Sequence, residues 1–212
     1  MYHTLAIILK KEEWNEADWL VTALTKDFGK IRLLAQGARK HGAKLQGHLE
    51  PGTISEISFV VGRNGYRLTT AWLGEHFPAS RTSLIKAGAI SYILRCLDAN
   101  LMEERTGAAE LFTMATRAVE RIAEAEHPAV IPRVLAWFAV GFADRLGILP
   151  GPESREAAAL PNLFALARQP LLEVEHVAVD DGAIPSELAE LSVTSGGAFH
   201  LPAPIAVKDF AI

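Results

Sequence analysis

The sequence predicts an α+β chain in two parts, a small five-stranded β-barrel over residues 1–77 and an all-α part over residues 78–212. Three observations predict it. Five short runs rich in β-branched and aliphatic residues fall within the first 75 positions, each bounded by turn residues. A long polar connection separates the third run from the fourth. After Pro78 the apolar spacing changes from a period of two to spacings of three and four.

The first strand is expected over residues 4–10 and is followed by a polar turn from Glu12 to Glu16. The second covers residues 19–25. Gly29 marks a hairpin leading to the third, over residues 31–35. Residues 37–51 are broken by Gly42, Gly47 and Pro51 and form a long connection with room for one helical turn. The fourth strand, residues 54–61, begins with clean apolar and polar alternation. Gly62-Arg63-Asn64-Gly65 is a strong turn signal, and the fifth strand covers residues 66–73. An oligonucleotide/oligosaccharide-binding (OB) barrel is the leading candidate. An SH3-like barrel fits the strand count equally.

Helical stripes follow over residues 83–101, 108–123 and 130–146. Pro132 lies near the start of the third and Gly147 just past its end, where each is favoured. A short helix is expected over residues 162–168. Gly182, Pro185, Gly196, Gly197, Pro202 and Pro204 divide the remainder into turns and short strands.

Half of the 212 residues are apolar and 22% are charged, a globular composition. No apolar run is long enough to span a bilayer, and the first residues lack the features of a secretory leader. The single Cys96 excludes an intramolecular disulfide framework and any multi-cysteine metal site. A reducing cytoplasm is the expected setting. The net charge of −4 is uneven. Residues 1–75 hold ten basic and eight acidic residues, a net of +2. Residues 28–49 hold no acid, while Lys30, Arg32, Arg39, Lys40 and Lys44 are basic. Such a segment suits a polyanion. It also suits a solvated loop that happens to lack acids.

No phosphate-cradling or dinucleotide glycine motif is present, and no histidine pair has zinc-enzyme spacing. Cys96 falls in an apolar stripe and reads as an inert core thiol. Basic residues on a small barrel would track a phosphate backbone, with aromatic side chains stacking bases. Phe59, Tyr66, Trp14 and Trp72 are the stacking candidates. Core packing is the favoured role for each, most strongly for Phe59 and Trp72, while Tyr66 and Trp14 flank turns and are somewhat more available.

Residues 16–51, read as a unit, resemble the RecO family. The resemblance rests on Glu16-Ala17-Asp18, on Leu24-Thr25-Lys26-Asp27-Phe28-Gly29-Lys30, on Leu34-Ala35-Gln36-Gly37-Ala38-Arg39-Lys40 and on Leu49-Glu50-Pro51. Arg145-Leu146-Gly147-Ile148-Leu149-Pro150 looks like that family's helical region. The resemblance implies a non-enzymatic DNA-repair and recombination mediator. Such a protein binds single- and double-stranded DNA, anneals strands and helps load recombinase onto DNA coated by single-stranded-DNA-binding protein (SSB). It implies RecR and the C-terminal tail of SSB as partners, a cytoplasmic and nucleoid-associated setting, and no cofactor. The DNA-binding residues it points to are Lys30, Arg32, Arg39, Lys40 and Lys44, with Lys26, Arg63 and Arg67 on nearby turns. Gln36 stands where the family often carries a basic residue. The family's four-cysteine zinc site is degenerate here: residues 152–159 lack cysteine, and His200 takes a cysteine's place. No metal is therefore expected. The competing reading is a protein-interaction scaffold with weak or lost DNA binding, and an enzyme ranks third.

Overall fold

The computed structural model describes residues 1–43, 45–63, 65–75, 83–103, 108–149, 151, 158–174, 176–177, 180–184, 186–188 and 191. Five strands open the chain: β1 (Tyr2–Trp14), β2 (Asp18–Thr25), β3 (Gly29–Ala35), β4 (Ile54–Gly62) and β5 (Gly65–Glu75). They close in the order β1-β2-β3-β5-β4, with β1 antiparallel to both β2 and β4. β3 meets β5 in parallel, Leu33 opposite Tyr66 and Leu34 opposite Arg67. That parallel seam is OB connectivity, and it separates the OB barrel from the SH3-like alternative. The long β3–β4 connection carries one turn of 3₁₀ helix, Gln46–His48.

Alternation sets the two faces of the barrel. Ala6, Ile8, Val21, Ala23, Ile31, Leu33, Ile57, Phe59, Leu68 and Ala71 point inward and form its core. Tyr2, Phe28, Phe59 and Tyr66 make a chain of ring contacts with centroids 5.1–5.4 Å apart. Phe59 is thus a core residue, as expected. Trp72 is not: it is 68% exposed. The cause is a bulge between the Ser58–Thr70 and Phe59–Leu68 pairs, which inserts Thr69 on β5. The extra residue turns Ala71 inward and Trp72 outward, opposite Glu56.

Two compact units result, one of Met1–Pro78 with Leu97–Thr116, the other of Ala79–Cys96 with Arg117–Ile212. The helices are α1 (Leu84–Asn100), α2 (Ala108–Glu124), α3 (Val130–Leu146) and α4 (Pro161–Ala167). α3 ends at Gly147, whose φ of 72° lets its N–H and that of Ile148 reach back to the Asp144 and Ala143 carbonyls. Phe138 and Phe142 stack at 5.6 Å inside the second unit. Arg133 of α3 pairs with Asp181 at 2.7 Å and donates to the Val174 and Val177 carbonyls. The buried Glu187 carboxylate accepts from Asn162 and from the Leu163 N–H at the start of α4. The described residues between Leu171 and Leu191 form turns and helical pieces, where short strands were expected. Residues 152–157 and 192–212, including His200 and the degenerate zinc region, lie outside the described residues.

Candidate nucleic-acid interface

The outer face of β1–β2–β3 divides into a covered half and an open half. Ile7, Leu9 and Leu24 point away from the barrel core and are nevertheless buried. The end of α1 lies on this half: Asp98 pairs with Lys10 at 3.2 Å and with Lys30 at 2.9 Å, and Lys30 bridges to Glu103 through the backbone. Lys30 also donates to the Asp98 and Leu101 carbonyls, and its side chain is only 11% exposed. Burial raises the Asp98 carboxyl, but the Lys30 and Lys10 ammonium groups outweigh it and hold Asp98 below its ordinary value.

Farther along the strands the same face is open. Register aligns Glu12, Leu20, Leu34, Arg67 and Val60 in one row across all five strands. Leu20 and Leu34 are half-buried, and Arg67 is exposed. Arg32, two residues before Leu34, is exposed on the same face and meets Glu103 only loosely, at 3.8 Å. Gln36, two residues beyond Leu34, is exposed and accepts from Arg67 at 3.5 Å. Leu34 therefore has one guanidinium beside it on β5, Arg67, and another two residues back on β3, Arg32, while the far end of the row carries the exposed acid Glu12.

The loop after β3 is braced against the β1–β2 hairpin. Arg39 pairs with Glu13 at 2.9 Å, donates to the Asn15 carbonyl at 3.1 Å and lies 5.3 Å from the Trp19 ring centre. Lys11 lies 5.0 Å from the same ring and pairs with Glu50. Lys40, next to Arg39, is exposed and carries no ion pair among the described residues. Arg63, at the β4–β5 hairpin, and Lys26, at the β2–β3 turn, are likewise exposed without an ion pair among the described residues. Lys44 lies outside those residues. The structure therefore gathers Arg32, Gln36 and Arg67 on one open face. It sets Lys40 just beyond β3 and holds Lys30 and Arg39 in internal contacts.

Sequence reading takes Glu12-Glu13 and Glu103-Glu104 as solvated surface and does not single out Asp98, yet Glu13, Asp98 and Glu103 meet the cations of the acid-free stretch. It also passed over Leu20 and Leu34, whose half-exposure follows from the row and not from their hydrophobicity. No group of three potential metal ligands comes together among the described residues, and no helix there is long and apolar enough to cross a membrane.

An OB barrel with basic side chains on its β3–β5 outer face, set ahead of a helical part, defines a class of barrel-plus-helix proteins. Residues 1–76 match the family described as "Recombination protein O N terminal". A protein of Roseiflexus sp. named DNA repair protein RecO is 32% identical over 71% of this chain and 51% of its own length. Proteins of the same name from Nostoc sp. and Gloeothece citriformis are 29% and 37% identical, over 58% and 43% of this chain and 41% and 32% of their own lengths. The chain thus carries a barrel domain that matches the RecO family over residues 1–76. It spans about a third to a half of the length of these relatives.

Proposed function

We propose that the chain acts as a DNA-repair and recombination mediator. It binds single- and double-stranded DNA through the barrel, promotes annealing of complementary strands, and helps load recombinase onto SSB-coated DNA. No covalent chemistry is needed. Cations that neutralise phosphates on two strands lower their mutual repulsion, and counterion release supplies affinity. The observation that carries this reading is the outer face of β2–β3–β5, where Arg32 and Arg67 both adjoin half-buried Leu34, with half-buried Leu20 beyond it. Outer strand faces and adjoining loops are where OB barrels take oligonucleotides. Lys40 and Arg63 extend the positive surface along the adjoining loops, and Lys26 stands apart on the β2–β3 turn. Lys30 and Arg39 support the barrel, and their charge is already met by Asp98 and Glu13.

RecR and the C-terminal tail of SSB are the proposed protein partners, in the cytoplasm at the nucleoid. A cleft of about 480 Å³ in the second unit is suited to an acidic tail with apolar side chains, since Arg117 and Arg121 border Trp137, Pro170 and Leu171. Glu120 and Glu124 share that rim and would select against tails bearing many acids.

The scaffold reading draws support from the same ion pairs, because internal acids quench much of the basic segment. Strand annealing separates the two. Complementary labelled oligonucleotides should pair faster with the parent protein than without it. The double variant Arg32→Glu with Arg67→Glu should abolish the gain. Annealing at the uncatalysed rate with the parent protein would leave the scaffold reading in place.

A further inference from the structure

We propose that Trp14 is the nucleobase-stacking platform of this DNA site, an inference that rests on the DNA-binding reading above. Trp14 closes β1 opposite Asp18 and is 48% exposed. By alternation it shares the outward side of Glu12, whose row runs on through Leu20 and Leu34 to Arg67. Along this face β1 lies two strand spacings, or ~10 Å, from β3 and three, or ~15 Å, from β5, a span a few nucleotides long. A strand whose phosphates meet Arg32 and Arg67 can therefore lay a base on the indole.

The hairpin that carries Trp14 is held in place before any ligand arrives. Asn15, the next residue, has a φ of 52° and is the one non-glycine with positive φ among the described residues. Its carbonyl accepts from Arg39 at 3.1 Å, the Ala17 carbonyl accepts from the Arg39 N–H at 2.9 Å, and Asp18 accepts from the Gly37 N–H at 2.8 Å. A braced hairpin has little backbone freedom left to lose on binding. Of the acids nearby, Glu12 pairs with Lys10 at 3.4 Å and Glu13 with Arg39 at 2.9 Å, Asp18 opposite the indole is half-buried on the Gly37 N–H, and Glu16 is exposed without an ion pair among the described residues.

Trp72 is the more exposed indole but the poorer platform. Its cross-strand neighbour Glu56 is exposed and has no ion pair among the described residues, so it repels a phosphate chain.

The test compares a labelled oligothymidylate with an abasic strand of equal length. The parent should prefer the strand with bases. Trp14→Ala should bind that strand roughly 5- to 150-fold more weakly, the range spanned by one base stack, and should bind the abasic strand as the parent does. Trp14→Phe should keep most of the preference, and Trp72→Ala should alter neither affinity. An unchanged preference in a folded Trp14→Ala protein overturns the proposal and leaves the phosphate contacts standing. Equal binding of both strands by the parent does the same. Binding of neither strand by the parent overturns the DNA-binding reading together with this one.

Discussion

Lys30 and Asp98 lie 2.9 Å apart, N to O, and this contact joins the third strand of the barrel to the end of α1. Lys30 adds a 3.0 Å hydrogen bond to the Leu101 carbonyl. Its role follows from its surroundings: a largely buried ammonium with three oxygen acceptors has little charge left for a phosphate. Lys30→Ala is expected to lower stability by about 2 kcal/mol, the scale of hydrogen bonds to a charged group. For a chain of this size that is a fall in Tm of roughly 4–8 °C. Thermal melting checks the first effect. A DNA titration of the folded variant checks the second, which is affinity close to the parent's.

The same cluster gives stability a pH dependence. Asp98 is held below its ordinary value of 3.8, so its contribution is present above that value and is lost as pH falls through the lower folded value. Lys10 moves the other way. Burial lowers it, but Asp98 and Glu12 outweigh burial and raise it above 10.5, so its contribution persists until pH rises past that point. Melting curves should show Asp98→Asn removing part of the acid-limb slope below about pH 4. The same slope in parent and variant would remove Asp98 from the account.

Arg39 and Lys40 are adjacent in sequence and differ in role. Arg39→Ala breaks an ion pair, a bond to the Asn15 carbonyl and a contact with Trp19, and should cost about 1–2 kcal/mol in urea unfolding. Lys40→Glu touches an exposed side chain and should change stability by no more than about 0.5 kcal/mol. Its effect should appear in DNA affinity. The reverse pattern would exchange the roles assigned to the two residues.

Cys96 is fully buried, and burial pushes its thiol up to about 12. The thiolate is the reactive form, so the native protein should resist alkylation at neutral pH and react fully in denaturant. Mass spectrometry after iodoacetamide treatment reads both states. Rapid labelling of the folded protein would show that the α1 interior opens.

Much of the architecture was legible because local signals agreed. The Gly29 and Gly62–Gly65 turns, the alternation in β4 and the apolar stripes of α1 to α3 all lie within the elements observed. The third helix matches its expected span of 130–146, with Gly147 closing it. β1 was misjudged at its far end. Residues 11–13 are polar because that stretch serves the hairpin with β2, where Lys11 and Glu13 meet Glu50 and Arg39. Trp72 was misjudged because a bulge reverses alternation without leaving a mark in composition.

The candidate site was legible only as a basic segment. Glu13, Asp98 and Glu103 are remote in sequence from the cations they meet, so a stretch without acids is not a surface without acids. The row joining Leu20, Leu34 and Arg67 depends on the parallel β3–β5 seam, a contact between strands that are not neighbours along the chain.

The most direct test of the central claim is the affinity for a labelled single-stranded oligonucleotide across a salt series. Four phosphate contacts, from Arg32, Lys40, Arg63 and Arg67, predict that log K falls against log salt with a slope of roughly −2.8. Arg67→Ala should reduce that slope by about 0.7, and Lys30→Ala should leave it unchanged. Binding without salt dependence, or a slope that Lys30→Ala reduces and Arg67→Ala does not, would contradict the open face as the DNA site.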